Sequence, residues 1–357
     1  MRRFCAAFFL VVPSLFAQMQ PRMVRIGVLG IFHPQELALR ADPGSQLLVV
    51  VGGQQLFLQS QSTCSSVTVR RSETMLVIDG CGRTIRAEQL KATDRNQKAA
   101  DFVLAVPGKL SRRYEGVLEI KAAAGELVPV VSMDLELAVA STVQAETNPG
   151  TPAEALKAQA VVSRSYLSAN LGRHKNFDFC DLTHCQALRE PPRANSAAWQ
   201  AAAATQGLVL TYEGKPVTSM FTRGCGGRTR TPQELGLRQA EYPYFSVACE
   251  VCGKDPVRWT RRLTGEDASV LSTKGESGRL AICRRLGWNA VPSNNFVARE
   301  ENGEVILEGT GQGHGIGLCQ RGAAFLAGQS SNFRDILIHY FPKTKIESLD
   351  SGTAALP

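Results

Sequence analysis

Residues 146–185 read ETNPGTPAEALKAQAVVSRSYLSANLGRHKNFDFCDLTHC, and this stretch organises what lies on either side of it. Glu146 stands in a loop that carries Pro149 and Gly150. Thr151-Pro152-Ala153-Glu154 then opens a helix, with Thr as N-cap, Pro at the first helical position and Glu placed to complete a capping box. The helix is predicted to run to about Leu171, where Gly172 supplies the stop. Beyond it His174, Cys180, His184 and Cys185 put four soft-metal ligands into twelve positions. An acid, a rigid helix and clustered ligands in one segment point to a site built on a scaffold.

Upstream, from Val24 to about Val131, short alternating or apolar runs such as VRIGVLG, QQLFLQ, SSVTVRR and TMLVIDG are punctuated by Gly and Asp-Gly. That is the pattern of a β-rich region with hairpin turns, and Cys64 is expected to pair with Cys81 inside it. The strand pattern continues through residues 117–143, so a strand is predicted to deliver the chain to Glu146. Downstream the predicted order is a small-residue helix over 194–206, a strand and turn at GLVLTYEGKPV, a Gly-rich turn at 222–227 and an aromatic turn at 242–245. A helix over 265–287, a strand at EVILEG, the Gly-rich run 309–317 and a last helix over 319–327 follow. The fold class read from this order is α+β: a β-rich N-terminal region over 24–114, a mixed helix and strand domain over 115–347, and a short tail, 348–357.

With 357 residues and 44% hydrophobic content the chain can bury a full core. Met1-Arg2-Arg3 followed by the apolar run Phe4–Phe16 has the shape of a secretory signal, residues 1–17, and is too short to span a bilayer. No later stretch reads as a membrane helix, so an exported protein of the periplasm or cell wall is expected. The net charge of +8 falls to +6 when Arg2 and Arg3 leave. Such a charge suits attraction to anionic wall polymers or membrane surfaces, with a merely solubilising basic surface as the competing reading, and nucleic acid is not an expected partner outside the cell. Ten cysteines become nine without Cys5, an odd count that leaves at least one unpaired or metal-bound in an oxidising compartment.

Two acids are candidates for catalysis. Glu154, in the first turn, feels the positive helix end, which lowers a carboxyl pKa and suits a cap. Glu146 lacks such a partner, and a raised pKa in a partly apolar groove would make it a general acid near neutral pH; a solvated surface carboxylate is the competing reading. Lys157 and Arg164 are seven apart and share a helix face, which would let them line a groove or form a solvated stripe. His174, Cys180, His184 and Cys185 match a closed tetrahedral zinc site, against a Cys180–Cys185 disulfide beside two ordinary histidines. Cys249-x-x-Cys252 would join Cys225 in a second metal site or make a disulfide. The run Thr310–Gly317 follows a strand and precedes a helix, but it lies too near the C-terminus for a dinucleotide fold. It reads as a tight loop that brings backbone to a ligand and presents His314.

Taken in order, Glu146 with EALKAQAVVSRSY (154–166), CDLTHCQ (180–186), GCGGRT (224–229), YPYFSV, LGW, GQGHGIGLCQRGA (311–323) and HYFP (339–342) resemble the stage II sporulation protein D (SpoIID)/LytB amidase-enhancer family of cell-wall lytic transglycosylases. The resemblance covers roughly residues 115–347. It implies cleavage of MurNAc–GlcNAc bonds in peptidoglycan, with one glutamate, carried onto Glu146 and with Glu154 as second candidate, acting as acid and then base. It implies a glycan-binding groove, for which Lys157, Arg164, Thr222, His314 and Gln320 are the candidate contacts. It also implies a structural zinc on His174, Cys180, His184 and Cys185. The amidase-enhancer branch implies an alternative: a non-catalytic glycan binder that stimulates a cell-wall amidase. The chain departs from the family at Thr147-Asn148, where Met-Pro is common, and at Ser141, where Gly is common, so a sporulation role is not carried over.

Overall fold

The structure, a computed structural model, describes residues 22–349 except 184, 239 and 240, so the expected signal lies outside the described residues. Period-two alternation becomes the strands β1 (Met23–Gly27), β2 (Glu36–Ala41), β3 (Gln46–Val51), β4 (Gln54–Gln59), β5 (Ser66–Ser72) and β6 (Met75–Gly80). It continues through β7 (Arg83–Ala87), β8 (Gln89–Thr93), β9 (Ala100–Val106), β10 (Leu110–Ala123) and β11 (Glu126–Asp134). Leu37 and Leu39 of β2 and Val67 and Val69 of β5 all point into the core, as expected when one face of an antiparallel sheet is packed. The sheet order is β1-β11-β10-β9-β2-β5-β6-β7, with β8 pairing β10 and β3, and β3 pairing β4.

The curl of this sheet is made in β10. Residues 110–116 pair with β9, whereas 117–123 pair with β11 and, on the other side, partly with β8. At the changeover Gly116 has φ 151°, and a Cβ there would lie 2.5 Å from the Ser132 carbonyl oxygen, so the bend requires glycine. The expected Cys64–Cys81 disulfide is present and ties the outer ends of β5 and β6.

The strand reading of residues 117–143 fails at Asp134, beyond which Leu135–Glu146 is a helix, α1. The Asp134 carboxylate caps it, accepting the N–H groups of Glu136 at 2.8 Å and Leu137 at 3.3 Å. Leu137 to Val143 are buried without a break, and a helix buried all round carries no polar stripe from which its period can be read. Glu146 is therefore the last residue of a helix and not a loop residue.

Helix α2 (Ala153–Ala169) follows a short connection. The predicted Thr cap and capping box do not form: Pro152 is the N-cap without a side-chain bond, and the Thr151 hydroxyl donates to the Asn148 carbonyl at 2.7 Å. Both faces of α2 are buried. Leu156, Ala160, Tyr166 and Leu167 join the core beneath the large sheet, while Ala155, Ala158, Val161 and Val162 join a second core. The small side chains let α2 sit between the two.

The chain continues with β12 (Phe179–Cys180), α3 (Ala197–Ala204), β13 (Leu208–Tyr212), β14 (Lys215–Pro216), β15 (Phe221–Thr222), α4 (Glu250–Lys254) and β16 (Arg258–Leu263). After these come α5 (Gly265–Leu286), broken at Gly275, then β17 (Phe296–Glu301), β18 (Glu304–Thr310), β19 (Leu318–Cys319), α6 (Gln320–Gly328), α7 (Phe333–Tyr340) and β20 (Lys345–Ser348). The small sheet β16-β18-β17 and α5 enclose a third core around Trp259, Ile282 and Leu307. Helix α7 is an addition to the sequence reading. The expected division between residues 114 and 115 falls inside β10, and the first core runs from the sheet through α1, α2 and α3 to Val209. No described helix is long and apolar enough to cross a membrane.

Candidate functional site

Helices α1 and α2 are bolted together by an ion pair. Arg164 is fully buried; its Nε donates to Glu136 Oε1 at 2.8 Å, and its remaining N–H groups reach Glu136 Oε2 and the carbonyls of Leu208 and Ala202. It has no surface to offer a ligand, so the groove-lining face predicted for Lys157 and Arg164 is not formed. Lys157 instead pairs with Glu154 at 2.6 Å.

Glu154 is spent on structure. Its second carboxylate oxygen accepts the Phe333 N–H at 2.8 Å, at the start of α7. The Lys157 bond, with help from the Phe333 N–H, holds its carboxyl below the usual range against the opposing effect of burial.

Glu146 is held differently. It is half-buried at the C-terminal end of α1, and its Oε1 accepts one hydrogen bond, from the Ala187 N–H at 2.8 Å. Burial pushes its carboxyl above the usual range, opposed by the Ala187 bond and by the charges of Arg223 and Arg189. The partial negative charge of a helix C-terminus acts in the same direction as burial.

Beside it lies a cavity of about 330 Å³, lined by Thr147, Asn148, Thr151, Gln159, Arg223, Gln312, Gln320, Arg321 and their neighbours. That is the lower end of ligand-pocket volumes, about 300–1,000 Å³. The Glu146 carboxylate is not part of this lining; the wall begins at the next residue, Thr147. Gln320 closes the corner, its Nε2 donating to the Glu146 carbonyl at 3.1 Å and to Gln159 Oε1 at 3.2 Å.

The Gly-rich run forms the opposite wall. Gln312 and Gly224 exchange backbone hydrogen bonds at 2.7 and 3.0 Å. Thr222 is buried and serves as a prop: its hydroxyl donates to the Gln312 carbonyl at 2.9 Å and accepts the Gly315 N–H at 3.1 Å. Gly313, φ 98°, packs so closely that a Cβ would come 2.5 Å from the Thr222 hydroxyl. His314 lies outside the cavity lining. Its Nδ1 accepts the Ile316 N–H at 3.0 Å, and its pKa is pushed down to about 4, chiefly by burial, with Glu276 opposing and Arg279 assisting. Two cations stand on the wall: Arg321, paired with Asp255, and Arg223, which sequence reasoning passed over in favour of its neighbour. Arg223 follows the end of β15 in the predicted turn, where no period gives the direction of a side chain. Asn148, Gln159, Gln312 and Arg321 carried no signal either.

The His/Cys loop is stitched to the edge of the large sheet, where β12 runs parallel to β1. Arg25 N–H donates to the Asp178 carboxylate at 2.8 Å and Leu29 N–H to the Asp181 carboxylate at 3.1 Å. His174, Cys180 and Cys185 bring their ligand atoms within 4.8 Å of one another. Cys180 and Cys185 Sγ are 3.6 Å apart, and His174 Nε2 is 3.3 Å from Cys185 Sγ. For tetrahedral zinc with Zn–N about 2.0 Å and Zn–S about 2.3 Å, ligand atoms stand about 3.3–3.8 Å apart, so these three donors fit the ion. His184 lies outside the described residues. Ala187, donor to Glu146, follows this loop directly. Gln186 between them is buried, with neither end of its amide bonded among the described residues.

The family model described as Stage II sporulation protein matches residues 123–212, the segment holding α1, α2, the His/Cys loop and α3. Similar proteins include the Stage II sporulation protein D of Bacillus amyloliquefaciens, 27% identical over 60% of this chain and 73% of its own length. That of Bacillus subtilis (strain 168) is 24% identical over 62% of this chain and 77% of its own. An uncharacterized protein of Brachyspira hyodysenteriae is 28% identical over 60% of this chain and 67% of its own. These similarities extend well beyond the matched segment, and with it they support a relationship to the stage II sporulation protein D (SpoIID) family.

Proposed function

We propose that the chain is an exported peptidoglycan lytic transglycosylase that cleaves MurNAc–GlcNAc bonds and leaves 1,6-anhydro-MurNAc ends, with Glu146 as acid and then base. The observation that carries this reading is a half-buried carboxyl, raised in pKa and held by one backbone N–H beside a cavity whose largely apolar lining carries Asn148, Arg223, Gln312 and Gln320. A raised pKa keeps a proton on the acid nearer neutral pH, ready for the glycosidic oxygen. The resulting carboxylate takes the proton of the muramoyl 6-hydroxyl as that oxygen attacks its own anomeric carbon. Because the nucleophile belongs to the sugar already bound, a second carboxylate is not required. Arg223, Asn148 and Gln312 offer donors, and Gln320 its amide oxygen as acceptor, for sugar hydroxyl and acetamido groups.

His174, Cys180 and Cys185, together with His184, would hold a zinc ion. Four protein ligands leave no open position, so the ion would pin the loop that delivers the Ala187 N–H to Glu146.

One observation favours a second reading, a non-catalytic glycan binder that enhances a cell-wall amidase: the Glu146 carboxylate stands beside the cavity wall without lining it. Digestion of purified sacculi by the protein alone, followed by mass analysis, separates the two. Anhydro ends from the wild type and none from Glu146→Gln support the enzyme. Sacculus binding without anhydro ends would leave only the binder.

A further inference from the structure

A second set of thiols converges behind the cavity wall, where Cys225 follows Gly224 and Cys319 lies between Leu318 and Gln320. Cys225 lies just beyond β15, Cys249 and Cys252 flank the first turn of α4, and Cys319 ends β19. All four are buried in the second core, and their sulfurs lie within 4.8 Å of one another. Cys319, 67 positions after Cys252, completes the set, a partner that no local spacing reveals.

We propose that Cys225, Cys249, Cys252 and Cys319 bind one zinc ion as a closed tetrathiolate site that fastens the exit of β15, α4 and α6 to one another. The spacing is that of ligands rather than of bonded sulfurs. Cys252 and Cys319 Sγ are 3.7 Å apart; the edge of a zinc tetrathiolate is about 3.8 Å for a Zn–S bond of about 2.3 Å, whereas disulfide sulfurs lie about 2.05 Å apart. Binding releases the four thiol protons and leaves a net charge of −2 on the buried centre, which calls for hydrogen-bond donors around the sulfurs. Two are in place: Tyr340 Oη is 3.5 Å from Cys249 Sγ, and the Gly322 N–H donates to Cys319 Sγ at 3.4 Å. The approach of α6 depends on Gly322, where a Cβ would stand 1.9 Å from Tyr340 Oη and 2.7 Å from Cys249 Sγ. With four thiolates there is no position for water or substrate, so the role is structural. The proposal does not depend on the activity assigned to Glu146.

The test is zinc content and X-ray absorption on the full chain purified without chelator. With the His/Cys loop also filled, the wild type should carry about two zinc ions per chain, and its average shell should hold about three sulfurs and one nitrogen. A Cys180→Ser/Cys185→Ser variant should keep one zinc with an all-sulfur shell. Cys319→Ser should lose one equivalent, and Gly322→Ala should release zinc faster to a chelator with every ligand retained. Should the loop variant fail to fold, the wild-type shell still decides, because a lone His/Cys site gives equal sulfur and nitrogen. The site is overturned by that equal shell with one zinc per chain. It is also overturned by peptide mapping that finds a disulfide within Cys225, Cys249, Cys252 and Cys319, or by ready alkylation of all four thiols in the folded protein. Iron in a tetrasulfur shell would overturn the assignment to zinc.

Discussion

Glu146 and Glu154 stand eight residues apart, yet the fold treats them as opposites. The first ends a helix buried almost all round, where both desolvation and the helix dipole oppose its charge. The second opens a helix, bonded to a lysine and to the first N–H of α7, and its charge is favoured. Local sequence assigns one of them to a loop and the other to a capping box, and neither description survives. What separates an acid able to hold a proton from one that anchors a helix is the environment each meets after folding.

The contrast is most easily broken by activity. Glu146→Gln should lower anhydro-end release by about 10²–10⁴-fold, the span of general acid–base contributions, while Glu154→Gln should stay within a few-fold; equal losses would erase the distinction. The frame beneath both acids is the next target. Glu136→Ala strands the buried Arg164 guanidinium and should cost about 3–5 kcal/mol in denaturant unfolding. The two helix starts should also differ: Asp134→Ala should cost about 1 kcal/mol, and Thr151→Ala only a few tenths, because Thr151 caps nothing.

The smallest effects are those of pH, and they should carry opposite signs. Glu146 binds its proton more tightly folded than unfolded, so its contribution to stability is full below the ordinary carboxylate pKa and is lost as pH rises through the raised value. Glu146→Gln should therefore melt higher than the wild type at alkaline pH and alike at acid pH. Glu154, lowered in pKa, contributes above the ordinary value and loses that contribution as pH falls. Glu154→Gln should be slightly less stable at neutral pH, by the few tenths of a kcal/mol typical of a helical i,i+3 pair, and alike in acid. Thermal melts of both variants across pH check the pair of signs.

Much of the frame is legible in the chain. Alternating residues announce the strands, α2 follows from its apolar and small positions, and Cys64–Cys81 follows from two cysteines in one β region. The failures share a cause. Helix α1 is hidden because burial on every side erases its period, and Arg164 is misplaced because helical spacing cannot say which face another element will cover. Arg223 is hidden because its stretch reads as a turn, and a turn has no period to say which side chain will face the cavity.

By itself the sequence determined the β-rich beginning, the α2 spine and the supply of acids, thiols and glycines near a site, because these depend on residue type and short periods. Only the tertiary structure decided that Glu146 would meet a desolvated helix end, that Arg164 would be sealed away and that Cys319 would join three distant thiols. Desolvation and long-range contact are properties of surfaces brought together by folding, and no local pattern carries them.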